Sequence, residues 1–271
     1  MKSLLQRLEL RRIGLLPKML RPRVLRWSTP GRWLAGAPLL LALLLLGGCN
    51  SWPRFFKYRL TLNVSVDGVV KSGTVVNELS ISFNDGIFAG MGNAFTPGCR
   101  GDAVVVDLGD KGLLFVLLKG DEARKGRSGY DMGSQVPLGF VHSEIPEWKI
   151  YPGKWPQKLD ALAKRRGAVW VEPRYLPLMV RFRDINNPAT VERVDPTDLA
   201  KTYGPGVRID SALLEITGDA PTRGIAKRMP EWFGRYEKEY RLLDGNNTGA
   251  VSFADKSVAA HIGAGSFSQG Y

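Results

Sequence analysis

An unbroken alternation of apolar and polar residues begins at Tyr58 and continues to Val66. Because successive side chains of a β-strand point to opposite faces, this period of two predicts a strand buried on one face. The alternation stops at Asp67-Gly68, a pair typical of tight hairpin turns, since glycine accepts a positive φ. A returning strand over Val69–Phe83 is expected to pair with the first. The chain is therefore predicted to build an antiparallel β-rich fold.

A second hairpin is predicted from two apolar runs, Ala103–Leu108 and Leu113–Leu118, which are separated by Gly-Asp-Lys-Gly. Neither run alternates, so both faces of these strands are expected to be buried, and we place them at the centre of a sheet. Further strands are predicted at 168–171, 177–183 and 206–217.

Helices are predicted to be few and short, which makes the fold class α+β. One is expected over Pro156–Arg166, because proline suits the first turn of a helix. A second is expected to open with Asp195 as its N-cap and to end before Gly204. A third, Pro230–Leu243, has an aromatic stripe at near-helical spacing that is expected to pack on the core. That stripe comprises Trp232, Tyr236, Tyr240 and Leu243.

The N-terminal leader holds most of the net charge of +12. Residues 1–48 contain nine Lys or Arg and one Glu, or +8, which leaves 29 basic and 25 acidic residues, or +4, for the remainder. The basic residues precede an apolar segment, 33–48, in the order typical of a secretory signal. They are expected to stay in the cytoplasm while the body faces the periplasm. The mildly basic remainder argues against nucleic acid as a partner.

The apolar segment ends in Leu46-Gly-Gly-Cys49, which resembles the lipobox of bacterial lipoproteins. The resemblance implies that the Cys49 thiol receives a diacylglyceryl group and that the signal is cut just before it. Lipid at Cys49 would be the membrane anchor, and no other cofactor is expected. Asn50 replaces the Asp associated with inner-membrane retention, so sorting to the outer membrane is favoured over the inner membrane.

The sequence leaves three alternatives open. An uncleaved single-pass helix could replace the lipid anchor, because residues 33–53 carry no charge and are long enough to span a bilayer. The true start could be Met19 instead of Met1, which would shorten the leader. Cys99 is expected to be a small buried residue in a loop, although without acylation of Cys49 the two cysteines could form a disulfide.

The chain is thus divided into four parts. Residues 1–48 are the leader, 49–57 a lipid-anchored tether, 58–243 the β-rich α+β domain and 244–271 a polar, glycine-rich C-terminal tail.

The order of segments after the leader is also similar to that of a group of uncharacterised proteobacterial envelope proteins. This similarity implies no catalytic residues. The segments that carry it begin at Tyr58, Ala103, Leu176, Val194, Tyr203 and Lys227.

No catalytic residue is predicted. The chain has no Gly-x-Ser-x-Gly elbow and no glycine-rich phosphate loop, and its two His and two Cys are too widely spaced for a zinc finger. One segment partly matches the calcium-binding EF-hand loop. Its final ligand is Asp instead of a bidentate Glu, so a polar turn is favoured and no metal site is predicted. The matching positions are Asp244, Asn246, Thr248, Ser252 and Asp255.

The leading functional hypothesis is a membrane-anchored, non-catalytic binding or assembly module with an envelope protein partner. The alternative is an envelope enzyme whose site is built from two long irregular segments, 84–101 and 119–135, since long loops often carry function.

Three basic clusters are interspersed with acidic residues and are expected to be ordinary surface charge. They are Lys164-Arg165-Arg166, Arg181 with Arg183, and Arg223 with Lys227 and Arg228.

Overall fold

The alternating segment forms a long β-hairpin in the computed structural model. Strand β1 spans Arg54–Val66 and strand β2 spans Val69–Phe83. Asp67 and Gly68 have φ of 49° and 86°, the positive values that a tight turn requires, so the predicted turn is confirmed. Strand β1 begins at Arg54, inside the segment predicted to be a tether. The structure describes residues 54–83, 95–121, 160, 163–247 and 257–270.

Eight further strands follow in the described part of the chain. They are β3 (Phe95–Asp102), β4 (Val104–Asp107), β5 (Leu113–Val116), β6 (Ala168–Trp170), β7 (Met179–Phe182), β8 (Val191–Val194), β9 (Val207–Thr217) and β10 (Ser268–Gln269). All pairings among the ten described strands are antiparallel. One sheet has the order β10-β3-β2-β1-β9-β6 and the other β4-β5-β7-β8. The prediction of a β-rich α+β fold with antiparallel hairpins is confirmed.

Helical segments are short throughout the described ranges. Helix α1 spans Ala200–Tyr203 and helix α2 spans Trp232–Lys238. The helix predicted over Pro156–Arg166 lies mostly outside the described residues. Single 3₁₀ turns occur at Gly109–Lys111, Pro173–Tyr175, Pro188–Thr190, Ile225–Arg228 and Ala264–Ser266.

Helix α1 begins later than predicted, because Asp195 closes a turn instead of capping a helix. The Asp195 carboxylate accepts hydrogen bonds from the backbone amide (2.9 Å) and hydroxyl (2.7 Å) of Thr197. The Asp198 carboxylate accepts a bond of 3.2 Å from the amide of Lys201, in the first turn of the helix. The predicted end is confirmed, since Gly204 has φ of 91°.

Helix α2 is shorter than the predicted third helix. The helix ends at Lys238, and Tyr240 takes the left-handed conformation with φ of 51°. Trp232 and Leu243 are buried and Tyr236 packs against the same cluster, but Tyr240 is 76% exposed. The predicted packing face was therefore wrong for Tyr240, because the helix stops before that turn.

The four-stranded sheet has apolar side chains on both faces, and each face contributes to a different core cluster. Val104 and Val106 of β4 pack with the inner residues of β1, such as Leu62, in the cluster between the two sheets. Val105 packs in the other cluster with α2 and the C-terminal segment, which includes Phe267. Burial of both faces was predicted correctly. The predicted position at the sheet centre was wrong for β4, which is an edge strand.

The chain passes from one sheet to the other at Ala103, between β3 and β4. Strand β3 pairs with Glu78–Phe83 of β2. All of this strand except Asp102 lies within the segment 84–101, which was predicted to be irregular. The strand contains Pro97, Gly98 and Gly101, residues that are rare in strands. Its apolar pattern therefore did not predict a strand.

The C-terminal segment contributes to the core cluster that contains Val105 and α2. Phe267 is fully buried, and its carbonyl oxygen accepts a 2.7 Å hydrogen bond from the amide of Ala103. Strand β10 pairs with β3 through Ser268 and Asp102. Within the described ranges, none of the helices has both the length and the apolar character needed to cross a membrane.

Candidate functional site

An open groove of about 770 Å³ lies between β2 and β4, and we call it the edge groove. Residues 71–75 of β2 form one wall. The second wall comes from β4 and its flanking residues, and the segment 222–228 closes one end. The lining residues outside β2 are Asp102, Ala103, Val105, Asp107, Gly109, Thr222, Arg223, Gly224, Ile225, Lys227 and Arg228.

Thr222 occupies one position on the outer edge of β2. Its amide donates a hydrogen bond of 2.7 Å to the carbonyl oxygen of Val76. Its hydroxyl oxygen accepts one of 2.8 Å from the Val76 amide. Both backbone groups of Val76 therefore point away from β1. Since hydrogen-bonded and non-hydrogen-bonded pairs alternate along an antiparallel ladder, the backbone groups of Thr74 and Ser72 also point away from β1.

Cross-strand side-chain contacts agree with this assignment. Thr74 lies opposite Thr61 and Ser72 lies opposite Asn63. The hydroxyls of Thr61 and Thr74 are 3.1 Å apart, and the Ser72 hydroxyl donates a bond of 2.6 Å to the Asn63 amide oxygen. Side chains approach most closely in non-hydrogen-bonded pairs. The outward-pointing backbone groups of Ser72 and Thr74 thus face the open side of β2.

Within the described ranges, the outer edge of β2 is covered along only part of its length. Strand β3 pairs with residues 78–83, and Thr222 pairs at Val76. Among the described residues, no strand or backbone group pairs with the edge at residues 70–74. Ser72 and Thr74 are exposed. In the part of the chain that the structure describes, this stretch is therefore an open strand edge beside the edge groove.

Gly73 allows β4 to approach β2 at the floor of the groove. A Cβ at this position would lie 2.5 Å from the carbonyl oxygen of Val105 and 2.9 Å from a methyl group of Val104. Such distances are far shorter than ordinary contacts, so a larger residue would push the two sheets apart. The shape of the groove therefore depends on a residue without a side chain.

Positive charge predominates on the groove surface. Lys71, Arg223, Lys227 and Arg228 are exposed. Among the described residues, no carboxylate forms an ion pair with Lys71, Lys227 or Arg228. The groove thus presents cationic side chains beside an open strand edge.

The two carboxylates of the groove serve the local structure. Asp102 is buried, and its carboxylate accepts a hydrogen bond of 3.0 Å from the amide of Ile225. The carboxylate of Asp107 accepts one of 2.9 Å from the amide of Gly109. Asp102 thereby attaches the segment 222–228 to the end of β3, and this attachment positions the basic side chains of that segment.

The other basic clusters differ from the one in the groove. Arg181 and Arg183 both pair with Glu192, at 2.9 Å and 2.8 Å. Arg166 donates hydrogen bonds to the carbonyl oxygens of Lys164 and Arg165. Pairing with an acidic neighbour is what ordinary surface charge predicts for Arg181 and Arg183. The segment 222–228 instead contributes to a groove that the sequence did not reveal.

The partial calcium loop folds as a polar turn where it is described. The two oxygens of the Asp244 carboxylate accept bonds of 2.9 Å and 2.8 Å from the backbone and side-chain amides of Asn246. Thr248, Ser252 and Asp255 lie outside the described residues. Within the described ranges, His, Cys, Asp and Glu side chains form no group of three or more that could hold a metal ion.

Cys99 is a free thiol on β3, partly buried against the cluster between the sheets. Burial raises the pKa of this thiol from 9.0 to about 12, so it is protonated near neutral pH. Burial also raises the pKa of the neighbouring Tyr58 hydroxyl well above its usual value. Cys99 was expected in a loop but belongs to a strand, and a protonated buried thiol is a poor nucleophile.

Several sequence-predicted positions cannot be placed in the groove. Cys49, the predicted lipidation site, lies outside the described residues. Of the two segments predicted for an enzyme site, only residues 95–101 and 119–121 are described. Lys119 donates a 2.7 Å hydrogen bond from its ammonium to the carbonyl oxygen of His261, which joins this segment to the C-terminal region.

Comparison with protein-family models, with curated proteins and with solved structures finds no match for this chain.

Proposed function

We propose that this chain is a lipid-anchored bacterial envelope protein whose domain is a non-catalytic binding or assembly module facing the periplasm. The edge groove is its binding site. The observation that carries this proposal is the open edge of β2 at residues 70–74, which lies beside exposed basic side chains. Folded proteins generally cover or guard such edges because they pair readily with other chains. An open edge that lines a groove fits a surface for a partner.

The chemistry of the groove supports binding over catalysis. Asp102 and Asp107 accept hydrogen bonds from backbone amides, so their carboxylates hold the groove in shape. Lys71 and Lys227 are exposed cations on its rim. Exposed cations and backbone groups can recognise an anionic partner without taking part in bond breaking.

The anchor is proposed from the leader. Nine basic residues and one acidic residue precede an apolar segment that ends at Cys49. The order of these features orients the domain toward the periplasm, and the lipobox-like ending provides the acylation site. Asn50, the residue after the cysteine, is not the Asp associated with inner-membrane retention, so sorting to the outer membrane is favoured over the inner membrane.

The anchor is tested with Cys49→Ala in the full chain. We expect the wild type to incorporate radiolabelled palmitate and to migrate as the processed form, and Cys49→Ala to do neither. Cys99→Ala is the matched control and should label like the wild type. An unlabelled wild type of full-length mass would refute the lipid anchor.

Binding at the groove is tested by photocrosslinking in living bacteria. A photoreactive residue replaces Lys227 at the groove, and a matched variant carries it at Lys238, an exposed lysine on α2. We expect a discrete crosslinked product from position 227 that position 238 does not give. Identical patterns at both positions, or no product at either, would refute the groove as the binding site.

A further inference from the structure

We propose that the edge groove takes an extended acidic segment of a partner protein, which adds as an antiparallel strand to β2 at residues 70–74. This inference rests on the proposed function, since it names the class of partner that the binding module recognises. Strand addition is a common mode of peptide recognition, in which main-chain hydrogen bonds give affinity and alternate side chains give specificity.

The backbone of β2 provides the first argument. Ser72 and Thr74 point their amide and carbonyl groups toward the open side, in line with Val76. Thr222 already fills one place of the missing strand, because its amide and hydroxyl bond to Val76 as a strand residue would. The open stretch of five residues is roughly 17 Å long, enough for a short strand.

The direction of the added strand follows from β3. Strand β3 pairs antiparallel with Glu78–Phe83 of β2 and then leaves the edge. A segment at residues 70–74 would continue the line of β3 and Thr222. An antiparallel partner would have the same orientation relative to β2 as β1 and β3, the two strands with which β2 already pairs.

The charge of the groove provides the second argument. Lys71 lies opposite Val64, which is buried, so its side chain is on the face of β2 that borders the groove. Lys227 and Arg228 lie at the closed end. Acidic side chains opposite Lys71 would face these cations, whereas basic ones would be repelled. Val69 and Val70, at 59% and 53% exposed, offer apolar contact beside them.

A lysine on an open edge has another known use, which is to prevent self-association. The two roles differ in outcome. If Lys71 only guards the edge, Lys71→Ala increases self-association and leaves the affinity for acidic peptides unchanged. If Lys71 recognises the partner, Lys71→Ala lowers that affinity, and Lys71→Glu lowers it further.

The register predicts which amides of the peptide are needed. An acidic residue opposite Lys71 occupies a non-hydrogen-bonded pair, because the bonded positions are those opposite Ser72 and Thr74. In a peptide of alternating glutamate and valine, the valine amides then face β2 and the glutamate amides face away. Methylation of the valine nitrogens should abolish binding, and methylation of the glutamate nitrogens should spare it.

The experiment measures fluorescence anisotropy with the full chain in detergent and a labelled peptide of about nine alternating glutamates and valines. We expect measurable binding, a loss of at least about tenfold on valine methylation, and little change on glutamate methylation. Lysine in place of glutamate in the peptide should remove binding. Equal affinities for the two methylated peptides would overturn strand addition.

Protein variants provide the complementary test. Ser72→Pro removes an amide that points into the groove and spares the bonds to β1, since proline is tolerated where the amide of an edge strand faces outward. It should weaken peptide binding at least about tenfold, whereas Ser72→Ala keeps the amide and should bind like the wild type. If Ser72→Pro does not fold, Lys71→Glu is compared with Lys201→Glu, an exposed lysine on α1. Equal binding by those two variants would overturn the inference.

The outcomes separate this inference from the proposed function. Groove crosslinks at position 227 without any binding of the acidic peptide would overturn the acidic strand but keep the groove as the binding site. Vesicles of anionic lipid that bind through Lys71, without competition by the peptide, would overturn it in favour of a membrane surface. Absence of both crosslinks and peptide binding would remove both proposals.

Discussion

Gly73 of β2 and Val105 of β4 bring the two sheets into direct backbone contact. A Cβ on Gly73 would lie 2.5 Å from the Val105 carbonyl oxygen, and the neighbouring Val104 side chain leaves no alternative space. The contact joins the first hairpin of the chain to the second. Both residues also line the edge groove.

Gly73→Ala is expected to destabilise the protein by about 1–3 kcal/mol, the usual cost of adding volume to a well-packed contact. The clash is with backbone, so side-chain rotation cannot relieve it. Urea unfolding measures the change. Gly218→Ala is the control, because Gly218 has no heavy atom within 4 Å of an added Cβ. Equal free energies of unfolding for the two variants would contradict the close approach.

Thr222→Val tests the attachment of the segment 222–228 to β2. Valine keeps the shape of the side chain but removes the hydroxyl that accepts from the Val76 amide. We expect a loss of about 1 kcal/mol, the typical net value of one hydrogen bond. Hydrogen exchange of the Val76 amide should also become faster. Thr202→Val, on α1, serves as the control, and unchanged exchange at Val76 would argue against the bond.

Cys99 should be unreactive in the folded protein. In a Cys49→Ala background it is the sole cysteine, because the chain has two. Its pKa is raised from 9.0 to about 12 by burial, so at pH 8 the thiolate fraction is on the order of a thousandfold below that of the unfolded chain. Alkylation by iodoacetamide should therefore be slow until denaturant is added. Rapid alkylation under native conditions would show that the thiol is accessible and ionised.

The same pKa difference gives a pH dependence of stability. Between about pH 9 and 12 the unfolded chain loses the thiol proton that the folded chain retains. The contribution of Cys99 is therefore fully present below pH 9 and falls as pH rises through this window, by at most about 1.4 kcal/mol per pH unit. Cys99→Ala should reduce the slope of unfolding free energy against pH there. An identical slope in both proteins would exclude this contribution.

Phe267→Ala tests whether the C-terminal segment is part of the core. Phe267 is fully buried. The centroid of its ring lies 5.6 Å from the ring centroid of Phe115 and 6.1 Å from that of Phe233. Truncation should cost about 3–5 kcal/mol. Tyr240→Ala is the matched aromatic control, expected to be nearly neutral because Tyr240 is 76% exposed. Comparable stability of the two variants in thermal or urea unfolding would place the segment outside the core.

Features that depend on neighbouring residues were predicted better than features that depend on contacts between distant parts of the chain. The turn at Asp67-Gly68 was predicted because its positive φ values are a property of two adjacent residues. The end of α1 at Gly204 was predicted for the same reason. Asp195 was misassigned because one carboxylate can close a turn or cap a helix, and the chain that follows decides between them.

Predictions that depended on distant neighbours were less successful. The pattern of β4 showed that both its faces are buried, but an apolar run has no signal for which strand lies beside it. Strand β3 was missed because pairing with β2, and not its own residues, makes it a strand. Lys227 was interpreted as ordinary surface charge because nothing in its sequence neighbourhood points to Lys71.

The sequence by itself determined the two hairpins and the β-rich class, because alternation and turn residues act over a few positions. Only the tertiary structure decided the edge groove. Its end is set by the bond between Val76 and Thr222, which are 146 positions apart, and its floor by the contact of Gly73 with Val105. Such contacts depend on how the sheets pack. The open edge of β2 exists because β3 leaves it for the second sheet at Ala103.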